Sequence, residues 1–438
     1  MKNAPPSPTN VKNGIVSVAI ATTALISLIS TTLSSSVNAA FENSPKAIVD
    51  EAWQIVNREY VDGTFNRVNW QSVRTELLSK NYSTKEEAYS AIRQALQKLD
   101  DPYTRFMDPK QYESLTNQTS GELIGVGLKL EINEKTELLT IVEPLADSPA
   151  FKAGVKPGDQ LLAIDGKSTR GMSVEKAAQL IRGKEGTKVN LNILRRGKGK
   201  FTLTITRGVI EVATVQYSVK QEGGIKVGYI SLSEFSSHAA DQMQKAIQKL
   251  HDQKVEGFVL DLRGNPGGLL YASIEIAKMW MDKGAIVRTV DRQGDNEEFK
   301  ANNTAITKLP LAVLVDENSA SASEILAGAL KDNRRGTIVG GQTFGKALVQ
   351  SVHSLSDGSG IAVTIAHYYT PNGTDISHKG VTPDIKVDIT NGDRIKLLGK
   401  KSWVATKDDP QYMKAISILS ATRLGNSNPA ISSKNKAQ

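Results

Sequence analysis

Three serines stand on alternate positions in ENSASASEILAGAL, which begins at Glu317: Ser319, Ser321 and Ser323. A serine hydroxyl becomes a good nucleophile only when a neighbouring base removes its proton. Ser321 and Glu324 also stand three apart before an apolar run, the spacing of a helix capping box. The stretch therefore predicts a helix start, and it predicts a nucleophile only if a base can be found. Ser319 and Ser323 are interpreted as loop and cap residues.

Histidine is the usual base, and the chain contains five: His238, His251, His353, His367 and His378. None is paired with a suggestive acid in the sequence, so each is interpreted as a surface or packing residue. A lysine can take the place of histidine when burial and a positive environment lower its pKa and leave the amine neutral. Lys346, in GQTFGKALVQ, lies between glycine and apolar residues and is the candidate. The alternative is an ordinary solvated lysine.

A second reactive segment is the turn DLRGNPGGLL, from Asp261 to Leu270. Its three glycines and proline lie between a predicted strand and a predicted helix, so its amides can point into a site near the positive end of that helix. A phosphate cradle is one interpretation, but the spacing matches no P-loop and no Lys-Ser/Thr pair follows. An oxyanion hole is the better interpretation.

The composition narrows the classes of function. The chain has 438 residues, 39% hydrophobic and 23% charged, which is ordinary for a globular protein of two or three domains. The absence of cysteine excludes disulfides, thiolate metal sites and cysteine nucleophiles. The net charge of +8 is not gathered into a basic cluster with aromatics, so nucleic acid is not expected as a partner.

The first 39 residues are typical of an export signal. Two lysines, Lys2 and Lys12, precede an apolar run from Ile15 to Leu33, and small residues follow up to Ala39. Cleavage after Ala39 is expected. The alternative is an uncleaved signal anchor, because the run approaches the length of a short membrane span.

Residues 45–117 have helical periodicity and predict a small helical domain. The period changes to two over residues 121–208, where strands, turns and one helix predict a small, partly open barrel. GVGL followed by SPAFKAGVKPGDQLLAIDG resembles a PDZ domain. That resemblance implies that the carboxyl terminus of a partner adds to the sheet edge, with its carboxylate held by amides of Val126, Gly127 and Leu128.

Strands alternate with helices over residues 211–390, which predicts an α/β domain with a largely parallel sheet. Residues 391–426 are expected to pack on this core or on the helical domain. The polar tail, residues 427–438, is expected to be disordered. The fold class is therefore α+β and multidomain.

Four runs after the PDZ-like segment resemble the carboxyl-terminal processing proteases, the tail-specific Ser-Lys peptidases: DLRGNPGGLL, SASASEILAGALKDN, TFGKALVQS and LSDGSGIAVTIAHYYTPNG. The likeness extends from about Pro45 to Ile385. It implies a crotonase-like protease core in which Ser321, 25 positions before Lys346, is the nucleophile and Lys346 its general base.

The same resemblance implies further roles. Gln350 would orient the lysine. The oxyanion hole would be built from the amide of Ala322 and from Gly267 or Gly268 in the glycine turn. Arg182 is a candidate reporter of PDZ occupancy that would gate the active site.

The predicted function is that of an exported serine endopeptidase that binds accessible, apolar carboxyl termini of proteins and cleaves near them, without metal or cofactor. The export signal and the DDPYTRF and SGELIGVGL runs favour the cyanobacterial and plastid branch, one known task of which is maturing a photosystem II precursor in the thylakoid lumen. A periplasmic protease, a catalytically inactive PDZ scaffold and a crotonase-like acyl-CoA enzyme are the alternatives. A homodimer and association with a membrane surface are left open.

Overall fold

The computed structural model describes residues 44–133, 136–390, 392–393 and 403–427. The predicted signal peptide, residues 1–39, lies outside the described residues, and so does the predicted disordered tail from residue 428 onward. Within the described ranges no helix is long and apolar enough to span a membrane.

The amino-terminal unit is helical, as the periodicity predicts. Its elements are α1 (Pro45–Glu59), α2 (Trp70–Ser79), α3 (Lys85–Gln97), β1 (Arg105–Met107) and α4 (Pro109–Ser120). Each helix begins at a side chain that accepts a main-chain N–H of the first turn, namely Ser44, Asn69, Thr84 and Asp108. The apolar faces of α1, α2 and α3 form one cluster that also includes Leu355, Ile361 and Val363 of the protease core. The helical unit is therefore built onto the core.

The second unit is a barrel-like antiparallel sheet. The chain enters this unit through β2 (Glu122–Gly125) and leaves it through β9 (Gly208–Glu211), and these two strands pair in an antiparallel ribbon. Between these lie β3 (Leu128–Ile132), β4 (Leu139–Pro144), α5 (Pro149–Lys152), β5 (Gln160–Ile164), β6 (Lys167–Ser168), α6 (Val174–Ile181), β7 (Lys188–Arg195) and β8 (Gly199–Thr206). The sheet order is β3-β4-β5-β7-β8, so β3 is an outer strand, and α6 packs near it.

The core contains the predicted, largely parallel sheet, with the order β10-β11-β12-β15-β16-β19. Only the β10–β11 pair is antiparallel. Its elements are β10 (Val215–Glu222), β11 (Ile225–Leu232), α7 (Ala239–Asp252), β12 (Gly257–Asp261), α8 (Leu270–Trp280), β15 (Leu311–Val315), α9 (Ala322–Asp332), β16 (Thr337–Gly340) and β19 (Ile385–Lys386). Every residue of β12 and β15 is buried, as expected for strands covered on both faces.

A second, antiparallel sheet, which the prediction of a largely parallel sheet does not include, extends the core. It consists of β13 (Ala285–Asp291), β14 (Asn296–Lys300), β17 (Leu348–Ser354) and β18 (Gly360–Tyr369), together with β1 of the helical unit. The strand β18 pairs with β17, β13 and β1. Its partners are far apart in the chain, so local periodicity does not reveal that they form one sheet.

The last described helix, α10 (Pro410–Ser427), packs on the core. Its apolar residues cover strands of the parallel sheet in a separate cluster. At the start of the helix Asp409, fully buried, accepts two hydrogen bonds from Arg263, at 2.8 and 3.0 Å. Arg263 also pairs with Asp261 at the end of β12. The carboxyl-terminal helix is thus tied to the residues that lead into the glycine turn.

Candidate active site

Ser321 lies at the sharp junction between β15 and α9, where it is the N-cap of the helix. Its backbone has φ 53° and ψ −114°, in the left-handed half of the map that residues with a Cβ rarely occupy. Such a conformation costs about 1–3 kcal/mol and persists only when the surrounding structure enforces it. The predicted nucleophile is therefore held at a strained turn.

The carboxylate of Glu324 joins the two segments that carry Ser321 and Lys346. Its Oε2 accepts the main-chain N–H of Ser321 and that of Lys346, each at 2.9 Å. Its Oε1 accepts the N–H of Gly345 at 2.7 Å and the hydroxyl of Thr343 at 2.5 Å. Burial raises the pKa of Glu324, and the hydrogen bonds oppose that shift. Four donors around two oxygens suit an ionised carboxylate, which only accepts.

Tyr368 on β18 holds the same two residues from the other side. Its hydroxyl, fully buried with its ring, donates to the main-chain oxygen of Lys346 and lies 3.2 Å from that of Ser321. The amide groups of the predicted nucleophile and base are thus bound to one carboxylate, and their carbonyl groups to one hydroxyl. The two main chains are fixed beside each other.

Lys346 is partly buried, and its amine faces an aromatic ring. Burial, with a smaller contribution from the charge of Arg105, lowers the pKa of Lys346 to about 8, whereas Asp101 and Glu324 oppose the shift. Its Nζ lies 4.6 Å from the centroid of the Tyr103 ring. A substantial neutral fraction is therefore available in mildly alkaline solution.

The side chains of the predicted dyad, Ser321 and Lys346, are not hydrogen-bonded to each other within the described ranges. Among the hydrogen bonds of the described ranges, none joins the Ser321 hydroxyl to the Lys346 amine, and none joins Lys346 to the Gln350 side chain. Gln350, on β17, has a buried Nε2 without a hydrogen-bond partner in this part of the chain. The structure brings the main chains together, while the roles of Ser321, Lys346 and Gln350 in catalysis stay predictions.

The glycine turn packs directly against the nucleophile. A Cβ added to Gly267 would lie 2.9 Å from the Cβ of Ser321 and 3.1 Å from the nitrogen of Ala322, so only glycine fits. The N–H of Gly267 already donates to Oδ1 of Asn265 at 2.9 Å. Of the two glycines named by the sequence, Gly268 is the one whose N–H has no such partner among the described residues, and the oxyanion role of Gly268 and of Ala322, at the first turn of α9, stays a prediction.

The glycine turn is also paired with the segment after β11. The N–H of Phe235 donates to the oxygen of Gly267 at 2.9 Å, and the N–H of Leu269 donates to the oxygen of Phe235 at 2.7 Å. A Cβ on Gly268 would come within 2.4 Å of that Phe235 oxygen. This close approach explains why the turn requires glycine at Gly268.

The predicted carboxylate-binding residues of the PDZ unit lie between β2 and the outer strand β3. Gly127 has φ 77°, and a Cβ there would lie 2.3 Å from the Cβ of Ser148. The oxygen of Val126 accepts the N–H of Ala150, and Leu128 is the first residue of β3. This is the edge at which an added strand would begin, and the carboxylate-binding role of these residues stays a prediction.

Arg182 ends α6 and is exposed. It lines an open cavity of about 490 Å³ together with Lys110 and Glu113 of α4 and Glu234 of the core. The cavity lies where the three units meet. Its position is compatible with a reporter of PDZ movement, and the gating role stays a prediction.

A Ser-His-Glu group elsewhere does not form a catalytic triad. The Nε2 of His353 lies 2.6 Å from Oε2 of Glu59 and 3.0 Å from the hydroxyl of Ser351. A triad histidine uses one ring nitrogen for the serine and the other for the acid. Here one nitrogen faces both groups, so the contact ties α1 to β17. The sequence had suggested no acid partner for His353, because Glu59 is remote in the chain.

Three residues hold the segments or side chains of the predicted dyad, and the sequence analysis does not predict these contacts: Tyr103, Glu324 and Tyr368. The sequence identifies Glu324 only as a capping residue, because its carboxylate binds N–H groups that lie 21 and 22 positions further along the chain. Tyr103 belongs to the LDDPYTRF run, whose turn residues alone were interpreted. Within the described ranges, no group of three or more histidine, aspartate or glutamate side chains is placed to hold a metal ion.

Comparison with known proteins supports the assignment of the two larger units. The model described as peptidase family S41 matches residues 226–387, and a PDZ domain model matches residues 140–195. The chain is 45% identical to the carboxyl-terminal-processing protease of Synechocystis sp. over 382 residues, covering 87% of this chain and 88% of that protein.

Two further matches extend to plastids and to a solved structure. Carboxyl-terminal-processing peptidase 2, chloroplastic, of Arabidopsis thaliana is 41% identical, with 82% of this chain and 74% of the relative covered. The structure of a photosystem II D1 C-terminal processing protease is 36% identical, covers 84% of this chain and 100% of its own, and has a TM-score of 0.53.

Proposed function

The chain belongs to the carboxyl-terminal-processing proteases of peptidase family S41 and is a serine-type peptidase. From this premise we propose that it cleaves substrate proteins near their carboxyl ends with a Ser321–Lys346 dyad. The observation that carries the proposal is the Glu324 carboxylate, which binds the N–H groups of both residues at 2.9 Å. The Lys346 amine, which lies 4.6 Å from the centroid of the Tyr103 ring, has to turn toward the Ser321 hydroxyl to act as the base.

In the proposed reaction Ser321 Oγ attacks the scissile carbonyl carbon while its proton passes to the neutral amine of Lys346. The developing oxyanion is held by the N–H groups of Gly268 and Ala322. The carbon–nitrogen bond then breaks, and the ammonium of Lys346 returns the proton to the leaving amine. Water attacks the resulting ester with Lys346 again as base, which releases the new carboxylate and restores Ser321.

Gln350 lies on β17, the strand that follows Lys346, and its buried amide nitrogen has no hydrogen-bond partner among the residues that the structure describes. A buried unpaired donor is costly, so its position favours a partner that arrives during the reaction. We assign Gln350 to orienting the lysine segment once the amine has moved toward Ser321.

The PDZ unit supplies the preference for a carboxyl terminus in this proposal. The outer strand β3 has an open edge to which an extended peptide can add, and the amides of Val126, Gly127 and Leu128 lie at its start. Main-chain pairing gives affinity without fixing the sequence, and apolar terminal side chains would lie against α6. Arg182 would report occupancy to the core.

The relatives suggest a class of substrate for this proposal, and the amino terminus suggests a location. The solved relative is a protease that processes photosystem II D1, and two relatives come from a cyanobacterium and a chloroplast. From the signal-like residues 1–39 we propose export to a thylakoid lumen or to a periplasm, and from the solved relative we propose a photosystem II precursor with an accessible, apolar tail as a substrate.

The test uses an unstructured protein with an apolar carboxyl terminus and the same protein extended by charged residues. Cleavage of the first by the parent enzyme, with loss of activity in Ser321→Ala and Lys346→Ala, is expected. Cleavage that persists in both variants would refute the dyad, and equal cleavage of the two substrates would refute tail selection. Binding of the tail without any cleavage would favour the inactive scaffold, and turnover of an acyl-CoA instead would favour the crotonase-like enzyme.

A further inference from the structure

The amine of Lys346 is held by a residue of the helical unit. Its Nζ lies 4.6 Å from the centroid of the Tyr103 ring, within the range of a cation–π contact. Tyr103 itself is partly buried, and burial together with the charges of Asp101 and Glu324 raises the pKa of its hydroxyl, so the phenol stays neutral. The ring face is thus an uncharged partner that favours the ammonium form.

The main chain of Tyr103 is fixed against the core. Asp101 accepts the N–H of Tyr103 at 2.9 Å and the hydroxyls of Thr104 and Thr364 at 2.7 Å each. Thr364 on β18 is the register partner of Gln350. The turn that carries Tyr103 is therefore attached to the strand beside the base segment, and the ring position is determined by the docking of the helical unit.

We propose that Tyr103 is a positioning residue for the general base: its ring holds the Lys346 amine in a resting position, from which the amine moves to reach the Ser321 hydroxyl. The inference rests on the proposed role of Lys346. It explains why, in the part of the chain that the structure describes, no hydrogen bond joins the Ser321 and Lys346 side chains although Glu324 and Tyr368 hold their main chains together. It also makes the helical unit a contributor to the active site.

Several other charged or titratable groups face this amine. Arg105 follows Tyr103 on the helical unit and lowers the pKa of Lys346, while Asp101 of the same unit and Glu324 of α9 raise it. Tyr368 of β18 binds the carbonyl of Lys346 and is fully buried. Since the ring of Tyr103 can be changed while these groups are kept, its effect can be isolated.

The experiment measures the rate at which a fluorophosphonate probe phosphonylates Ser321, with loss of fluoride, between pH 6 and pH 10. The rate should rise with pH as the amine deprotonates. Tyr103→Phe keeps the ring and serves as the matched control, so its profile should match that of the parent. Tyr103→Leu and Tyr103→pentafluorophenylalanine remove the attraction for an ammonium, and the second keeps the ring shape if the first does not fold.

The ring attraction favours the protonated amine, so its loss makes deprotonation easier. In the pentafluorophenylalanine variant, the midpoint of the rise in rate should move to lower pH by about half a unit. At pH values below that midpoint the reaction should therefore be about threefold faster than in the parent. A midpoint that does not move in the pentafluorophenylalanine variant, or that moves equally in Tyr103→Phe, would overturn the inference. If Lys346→Ala reacts with the probe as fast as the parent does, the assignment of Lys346 as the base fails. That result differs from an unmoved midpoint, which would refute only the role of Tyr103.

Discussion

At the scale of single residues, the site depends on placing a basic side chain where its charged form is disfavoured. Burial lowers the pKa of Lys346 to about 8, so below that pH the folded protein carries an ammonium that is poorly solvated. Nearby, Ser321 adopts a strained backbone at φ 53°. Both features reduce stability and both serve the proposed chemistry, as is common at functional sites.

The substitution Lys346→Met tests this cost. Below about pH 8 the lysine is protonated in both folded and unfolded states, so the burial cost is present in full. Between that pH and the ordinary value of 10.5 only the unfolded chain holds the proton, and the stability of the parent rises with pH. We expect the variant to exceed the parent by about 2 kcal/mol in free energy of unfolding at pH 7 and to lose that advantage by about pH 10.

Urea unfolding at the two pH values measures the difference, and Lys184→Met, at an exposed position, is the matched control with no expected change. A Lys346→Met variant no more stable than the parent at pH 7 would show that burial of this amine has no energetic consequence.

At the scale of elements, the carboxyl-terminal helix α10 supports the segment that leads into the glycine turn. Arg263 lies between the carboxylates of Asp261 and Asp409, at 2.6 and 2.8 Å. Asp409 also accepts the N–H of Tyr412 at the start of the helix. The buried side chain of Asp409 thus fixes both the start of α10 and the position of Arg263.

The pair Asp409→Ala and Asp409→Asn separates these two roles. Loss of a partner from a buried ionic group typically costs about 3 kcal/mol or more, and loss of a cap adds about 1 kcal/mol. Asparagine can still cap the helix, so Asp409→Asn should lower the free energy of unfolding less than Asp409→Ala does. Asp408→Asn, at the exposed neighbouring position, should leave it unchanged. Equal stability of all three variants and the parent in urea would show that α10 does not anchor this segment.

The sequence revealed the parts of the site whose signals are local. Ser321, Lys346 and the glycine turn occur in compact motifs that match a family, and the elements around them have clear periodicity. The contact of Tyr103 with Lys346 joins positions 243 residues apart, and β1 joins a sheet formed mainly by strands after residue 285. Such pairings depend on tertiary packing, which no local pattern specifies.

At the scale of the whole molecule, the three units meet around the proposed site. The helical unit contributes Tyr103, the core contributes Ser321, Lys346 and the glycine turn, and the PDZ unit borders the cavity at Arg182. The segment containing Phe235 is paired with the glycine turn. Next to it, Ser237 donates its N–H to Thr119 at the end of α4. Main-chain hydrogen bonds therefore connect the end of α4, next to the PDZ unit, with the glycine turn that carries the predicted oxyanion donor.

Catalysis by the proposed dyad requires that the Lys346 amine can be neutral in the folded protein. The most direct measurement is an NMR titration of the purified protein labelled with ¹³C at lysine Cε, in which the Lys346 signal is assigned by its loss in Lys346→Arg. We expect this signal to titrate near pH 8, where burial and Arg105 set the pKa of the amine. A Lys346 amine that stays protonated up to the ordinary lysine range, near 10.5, would contradict the account.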